Sequence, residues 1–134
     1  FQILDHTADI GISATGLDMA EAFAQAALGM FSIITNLERI QERESRHLTV
    51  AAPDCEALLV NWINELLYLF ETEGLLCARF AIHSIGETRL EATGYGEQRD
   101  PQRHSVHIGV KAATYHMVEV TQNGEWRVQV FLDI

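Results

Sequence analysis

Apolar and polar positions recur along this chain with two periods, and the changes of period mark its elements. Phe1, Ile3 and Leu4 form a short apolar run. After a polar interval, Ile10, Ile12 and Ala14 alternate with Gly11, Ser13 and Thr15, the period of a half-buried strand, and Gly16 ends it. Asp18 stands at an N-cap position with Glu21 three residues on, a capping-box-like pair. Met19, Phe23, Ala26, Met30 and Ile34 then follow at helical spacing, so a helix is predicted from Asp18 to about Thr35. Ala20, Ala22, Ala24, Ala27 and Gly29 keep that helix thin and suit it to close packing. Leu37 to Glu44 reads as a polar connection, and His47 to Ala52 as a strand with Leu48 and Val50 on one face. Asp54 can cap a second helix carrying Leu58, Leu59, Trp62, Ile63, Leu66, Leu67, Leu69 and Phe70 on a wide apolar face, with Gly74 as its C-cap.

From Leu75 the period becomes two. Strands are predicted around Phe80 and Ile82, over Thr88 to Tyr95, over Val106 to Val110, over Met117 to Thr121, and over Trp126 to Leu132. Glu97 to Ser105 reads as a polar loop, and Asn123-Gly124 as a hairpin turn. Two helices among early strands, followed by a run of strands, indicate an α+β fold: one domain spanning residues 1–134, with two helices packed on one face of a mostly antiparallel sheet.

Strand parity directs attention to the chain's polar knot, Asp5-His6-Thr7-Ala8-Asp9, and to its last residues, Leu132-Asp133-Ile134. If Ile10, Ile12 and Ala14 face the helices, Asp9 faces away; if Trp126, Val128, Val130 and Leu132 face the helices, Asp133 faces away too. Both aspartates then lie at strand ends on the face without helices, and Phe131 on that face indicates that it is not wholly wet.

Composition narrows the partners. The chain has 134 residues, 48% hydrophobic and 21% charged, with a formal charge of −10. That charge argues against direct, sequence-blind contact with a nucleic-acid backbone and favours cations or a basic protein partner. No apolar run is long enough to span a membrane, no basic-then-apolar leader opens the chain, and Cys55 and Cys77 form no metal or redox motif, so a cytoplasmic protein with reduced thiols is expected.

Five motifs in order carry a family resemblance: Asp5-His6-Thr7-Ala8-Asp9, Glu65-Leu66-Leu67-Tyr68-Leu69-Phe70, Gly94-Tyr95-Gly96-Glu97, Val110-Lys111-Ala112-Ala113-Thr114-Tyr115-His116, and the closing Asp133-Ile134. From end to end the chain resembles the archease family. The resemblance implies an archease fold containing the strand-helix-strand-strand arrangement called the SHS2 module. It also implies a function: a protein cofactor of the GTP-dependent RNA ligase that seals tRNA halves after splicing and acts in RNA repair. Such a cofactor promotes guanylylation and repeated turnover of the ligase, meeting RNA only indirectly. The family's metal ligands fall on Asp9, Asp133 and Ile134, with calcium expected and magnesium or manganese as substitutes. Beside them, Asp5 reads as a turn residue. His6 reads as a partner of a carboxylate or as a packing imidazole paired with Thr7. Lys111 is a candidate contact for the ligase or a nucleotide phosphate, or else a solvated strand residue, and His116 a donor on the same face or a structural ring. His104 and His107 are expected on the surface. Two other readings stand beside this one: a small metal-dependent acid–base enzyme using Asp5, His6 and Asp9, and a metal-free interaction module.

Overall fold

The computed structural model describes residues 1–5 and 9–134. Its elements run β1 (Gln2–Asp5), β2 (Asp9–Gly16), α1 (Met19–Ile34), a single 3-10 turn (Leu37–Arg39), β3 (Glu44–Ala51), α2 (Cys55–Glu73), β4 (Leu75–Ile85), β5 (Arg89–Gln98), β6 (Ala112–Asn123) and β7 (Glu125–Asp133). The fold is α+β, and its strands divide between two antiparallel sheets, ordered β1-β2-β7-β6 and β3-β5-β4. Alternation along a strand tells which side is buried but not which strand lies alongside, so the division had no local signature. In the second sheet β3 and β4 both run antiparallel to β5, with α2 connecting β3 to β4. The segment β3-α2-β4-β5 is thus the strand-helix-strand-strand unit.

The helices form where the spacing places them, and both are capped by side chains. Asp18 accepts a hydrogen bond from the Glu21 N–H at 2.8 Å, and Asp54 accepts one from the Ala57 N–H at 2.8 Å. Gly74 closes α2 in the left-handed conformation, φ 71°. α1 approaches β2 so closely that a Cβ on Gly29 would stand 2.7 Å from Ile12 Cγ2, which explains the need for a thin helix there. Phe23, Met30 and Ile34 of α1 and Leu58, Trp62 and Ile63 of α2 are fully buried in one core with Ile12 and Val130 of the first sheet and Leu76 and Leu90 of the second. The one polar atom of Trp62 is satisfied: its indole N–H donates to the Phe23 carbonyl at 3.0 Å, joining the helices. Cys55 and Cys77 are both free thiols. Burial pushes the Cys77 thiol up to about 12, Arg46 lowering it and Glu44 raising it, so it packs as an inert apolar group. Among the described residues no helix is long and apolar enough to cross a membrane.

Three expectations need correction. Val106 to Val110 alternates like a strand but is an extended connection. Its polar groups go to the end of α1 instead: the His107 N–H donates to the Ile34 carbonyl at 2.8 Å, and the Thr35 hydroxyl donates to the Ser105 carbonyl at 2.6 Å. The next strand starts at Ala112 and is longer than the pattern suggested. His104, expected on the surface, is buried, while His107 is exposed as expected. Glu97, expected to open a loop, is buried near the end of β5.

These two buried residues explain each other. The Asp100 N–H donates to His104 Nδ1 at 2.8 Å, so the ring carries its proton on Nε2, within 3.0 Å of the Arg39 carbonyl and 3.2 Å of Glu97 Oε2. Glu97 also accepts the Gln41 N–H at 2.6 Å and the Arg103 guanidinium. One carboxylate thus ties β5 to the segments on either side of it in space. Burial raises the Glu97 pKa, but the Gln41 N–H, Arg103 and His104 together hold it below the ordinary 4.5. The sign follows. A folded-state pKa below the unfolded one contributes stability above the unfolded value and loses it as pH falls through the folded one. We expect Glu97→Gln to lower unfolding free energy at pH 7 by about 1.5–3 kcal/mol, the range for hydrogen bonds to charged groups. Denaturant titrations repeated below pH 4.5 should show the gap from the parent chain closing; a gap independent of pH would refute this account of Glu97.

Candidate functional site

The site is set by the pairing of β2 with β7. Ile10 lies opposite Leu132, Ile12 opposite Val130 and Ala14 opposite Val128, and all six are buried. The alternate pairs must face the other way: Asp9 opposite Asp133, Gly11 opposite Phe131, Ser13 opposite Gln129. Residues directly opposite across an antiparallel pair have Cβ atoms roughly 4.5–5.5 Å apart. The two aspartates read from opposite ends of the sequence are therefore immediate neighbours at one end of the sheet. Asp9 is only 9% exposed, whereas Asp133 is exposed. Two carboxylates this close repel by roughly 1–4 kcal/mol, depending on how much water screens them. Because Asp133 is exposed, water screens the pair toward the low end of that range.

Ile134 follows Asp133 and, being aliphatic, has only main-chain oxygens to offer a cation. Lys111 is exposed, and its main-chain N–H donates to the Asp133 carbonyl at 2.8 Å, which starts the β6–β7 pairing at Ala112 opposite Asp133. Its neighbour Ala113 is gripped from α2. Asn64 accepts the Ala113 N–H at 2.7 Å and donates to the Ala113 carbonyl at 3.4 Å. A helix side chain thus satisfies the edge of β6 beside Asp133. Asp5 ends β1 opposite Ile10. His6, with Thr7 and Ala8, lies outside the described residues. Among the described residues, no three His, Cys, Asp or Glu side chains gather as a metal group. A cation held here would take two side chains, main-chain oxygens, and water or a partner's groups.

Strand parity places Phe131 beside the carboxylates, but does not reveal the contacts it makes there with Gly11 and His116. Phe131 is 3% exposed although it faces away from the helices. Its ring lies over Gly11: a Cβ there would be 2.7 Å from Phe131 Cε1 and 3.1 Å from Leu4 Cβ. His116 closes over the ring edge-on, centroids 6.1 Å apart. His116 thus belongs to the aspartate face, in contact with an aromatic ring. The available signal was the pairing of a glycine and a phenylalanine at positions where two strands should be polar.

A model of the archease protein family matches residues 1–134. The chain belongs to the archease family. The archease of Methanosarcina mazei is 37% identical over 139 residues, covering 100% of this chain and 95% of that protein. The archease of Pyrococcus abyssi is 38% identical over 136 residues, covering 97% and 95%. The solution structure of Methanobacterium thermoautotrophicum protein 1598 superposes with a TM-score of 0.85 at 33% identity, covering 99% of this chain and 97% of that one. A crystal structure from Thermotoga maritima, described as an archease and possible chaperone, superposes at 0.61 with 18% identity over 100% and 97%, a likeness of fold alone. The α+β archease fold implied by the five motifs is therefore the fold of this chain.

The Gly11–Phe131 contact can be tested without any ligand. Gly11→Ala should destabilise the fold by about 1–3 kcal/mol, the usual cost of overpacking. Phe131→Ala in the same chain should cancel much of that cost, giving a non-additive double-mutant cycle by urea denaturation. Additive losses would mean that the two do not touch.

Proposed function

We propose that this archease-family protein is a non-enzymatic protein cofactor of the GTP-dependent RNA ligase of tRNA splicing and RNA repair. It holds a divalent cation through Asp9, Asp133 and the main-chain oxygens of Ile134. The observation that carries the reading is the register that sets Asp9 directly opposite Asp133 on the face without helices. The donor set fits the ion. Two carboxylates and main-chain oxygens are hard ligands, so calcium is favoured, with magnesium or manganese as substitutes, and zinc disfavoured. Too few protein donors converge to complete a calcium shell. An ion held this loosely keeps positions open for the ligase, which suits a cofactor that promotes guanylylation and turnover rather than one that reacts itself. The formal charge of −10 supports contact with a basic protein surface and weak affinity for free RNA.

Two measurements test the reading. Calcium should raise the melting temperature of the parent chain, since a ligand at one hundred times its Kd stabilises by about 2.7 kcal/mol. The shift should vanish in Asp9→Asn and in Asp133→Asn. With ligase limiting and RNA and GTP in excess, the parent chain should multiply ligation product, and the Asp9→Asn, Asp133→Asn double variant should fail to do so. Turnover of RNA or nucleotide by this protein alone would favour the acid–base enzyme reading, and a calcium-independent melting temperature the metal-free module.

A further inference from the structure

Beside the aspartate pair, β6 departs from its partner in an unusual way. Thr114 pairs with Phe131, and the next pair is Glu119 with Gln129. Four residues, Tyr115 to Val118, therefore stand against one, Val130. Bulges of this kind re-aim side chains at sheet edges. Within it Met117 has φ 56°, among the described residues the one non-glycine in the left-handed region. A methionine gains nothing from that conformation, so surrounding contacts must impose it. They do. Gln129 Nε2 donates to the Met117 carbonyl at 2.9 Å, the His116 N–H donates to Thr114 Oγ1 at 3.3 Å, and Val118 packs against the core. The segment is thus built and held. On either side of the exposed His116 it presents two large side chains outward, Tyr115 at 60% exposed and Met117 at 52%.

We infer that this bulge is a docking element, through which Tyr115 and Met117 enter an apolar pocket on a protein partner whose rim is basic. The inference rests on the ligase reading above and names where on this chain the ligase sits. Three observations choose the occupant. The bulge lies beside the aspartate pair: His116 contacts Phe131, two residues before Asp133 on the same side of β7. Glu119 and Asp133, both exposed, and the buried Asp9 share that side through their register positions, with Arg127 farther along β7, so the end beside the bulge is acidic and a basic rim complements it. A second copy of this chain would bring the same acidic groups face to face, and a nucleic-acid backbone would bring phosphates to them; both are repelled. Tyrosine brings a large area on few rotatable bonds and methionine adapts its shape to a pocket, while the backbone that carries them is already ordered, so its ordering cost is not met again on binding.

The test measures binding of the full chain to its purified ligase by calorimetry, with Tyr115→Ser and Met117→Gly as variants. Each should weaken Kd tenfold or more. Met117→Gly should keep or raise the melting temperature, because glycine accepts φ 56° freely. Its loss of affinity would then not be a folding defect. Both variants should retain the parent's calcium-induced melting shift and the parent's dependence of Kd on salt, since neither alters a charge. Parent-like Kd values in both variants would overturn the docking role. So would a parent chain whose mass doubles with concentration and reverts on Tyr115→Ser, which would make the face a self-association surface. Failure of the parent chain itself to bind the ligase would instead remove the ligase reading, and this inference with it.

Discussion

The register of β2 against β7 is the constraint on which the rest of this structure depends. It is fixed by burial: Ile10, Ile12 and Ala14 meet Leu132, Val130 and Val128 under the helices. A slip of one residue would bring Asp9 or Asp133 under the helices and turn the apolar residues of a strand outward, at a cost no surface contact could offset. The same apolar pairs that hold the first and last long strands together therefore place the two carboxylates side by side. The site needs no dedicated scaffold. It is the outer face of the core's own pairing, and core packing positions it to within the tolerance of a strand ladder.

That outer face is half protein interior. Phe131 fits because Gly11 opposite it has no side chain, and His116 covers the ring from β6. Covering Phe131 requires β6 to leave the ladder after Thr114, and the extra residues emerge as the Tyr115–Val118 bulge. The bulge is thus linked to the aspartates through one aromatic ring. The edge strand is managed at both ends of this excursion, by Asn64 at Ala113 and by Gln129 at Met117. Side chains replace the main-chain partners that a regular ladder would have supplied.

Much of this was legible in the sequence, and the exceptions share a cause. The helices, both aspartate N-caps, the Gly74 C-cap, the hairpin at Asn123-Gly124 and the parity that puts Asp9 and Asp133 on one side all rest on interactions within a few residues, or on faces fixed by alternation. The misread segments rest on partners far away in sequence. Val106 to Val110 alternates correctly but lies against α1 instead of a strand. His104 is buried in part by Arg39, sixty-five residues before it, whose carbonyl meets the ring; Asp100 and Glu97 are close in sequence, but their role shows only once that distant segment is in place. The strand expected over Met117 to Thr121 gives no sign of the bulge it starts in, because an ordinary strand and a bulge have the same composition. Only the count of residues against β7 distinguishes them.

The position of the carboxylates outside the core also decides how function and stability interact in this fold. Asp9 and Asp133 lie on the side of the ladder turned away from the helices. Two carboxylates side by side repel, a cost in stability of the kind that functional sites carry, and the proposed cation or a basic partner surface would offset it. The bulge follows the same logic with a different interaction. Met117 is held at an unfavourable φ and exposes apolar surface, and neither feature helps the isolated chain. On the reading proposed above, these two adjacent features call for one occupant, a partner surface that supplies positive charge and an apolar pocket together. An ion that lessened the repulsion at the strand ends would also make the face less acidic, and a partner that brought its own donors would complete the shell the two strands leave open, so the proposal couples ion and partner.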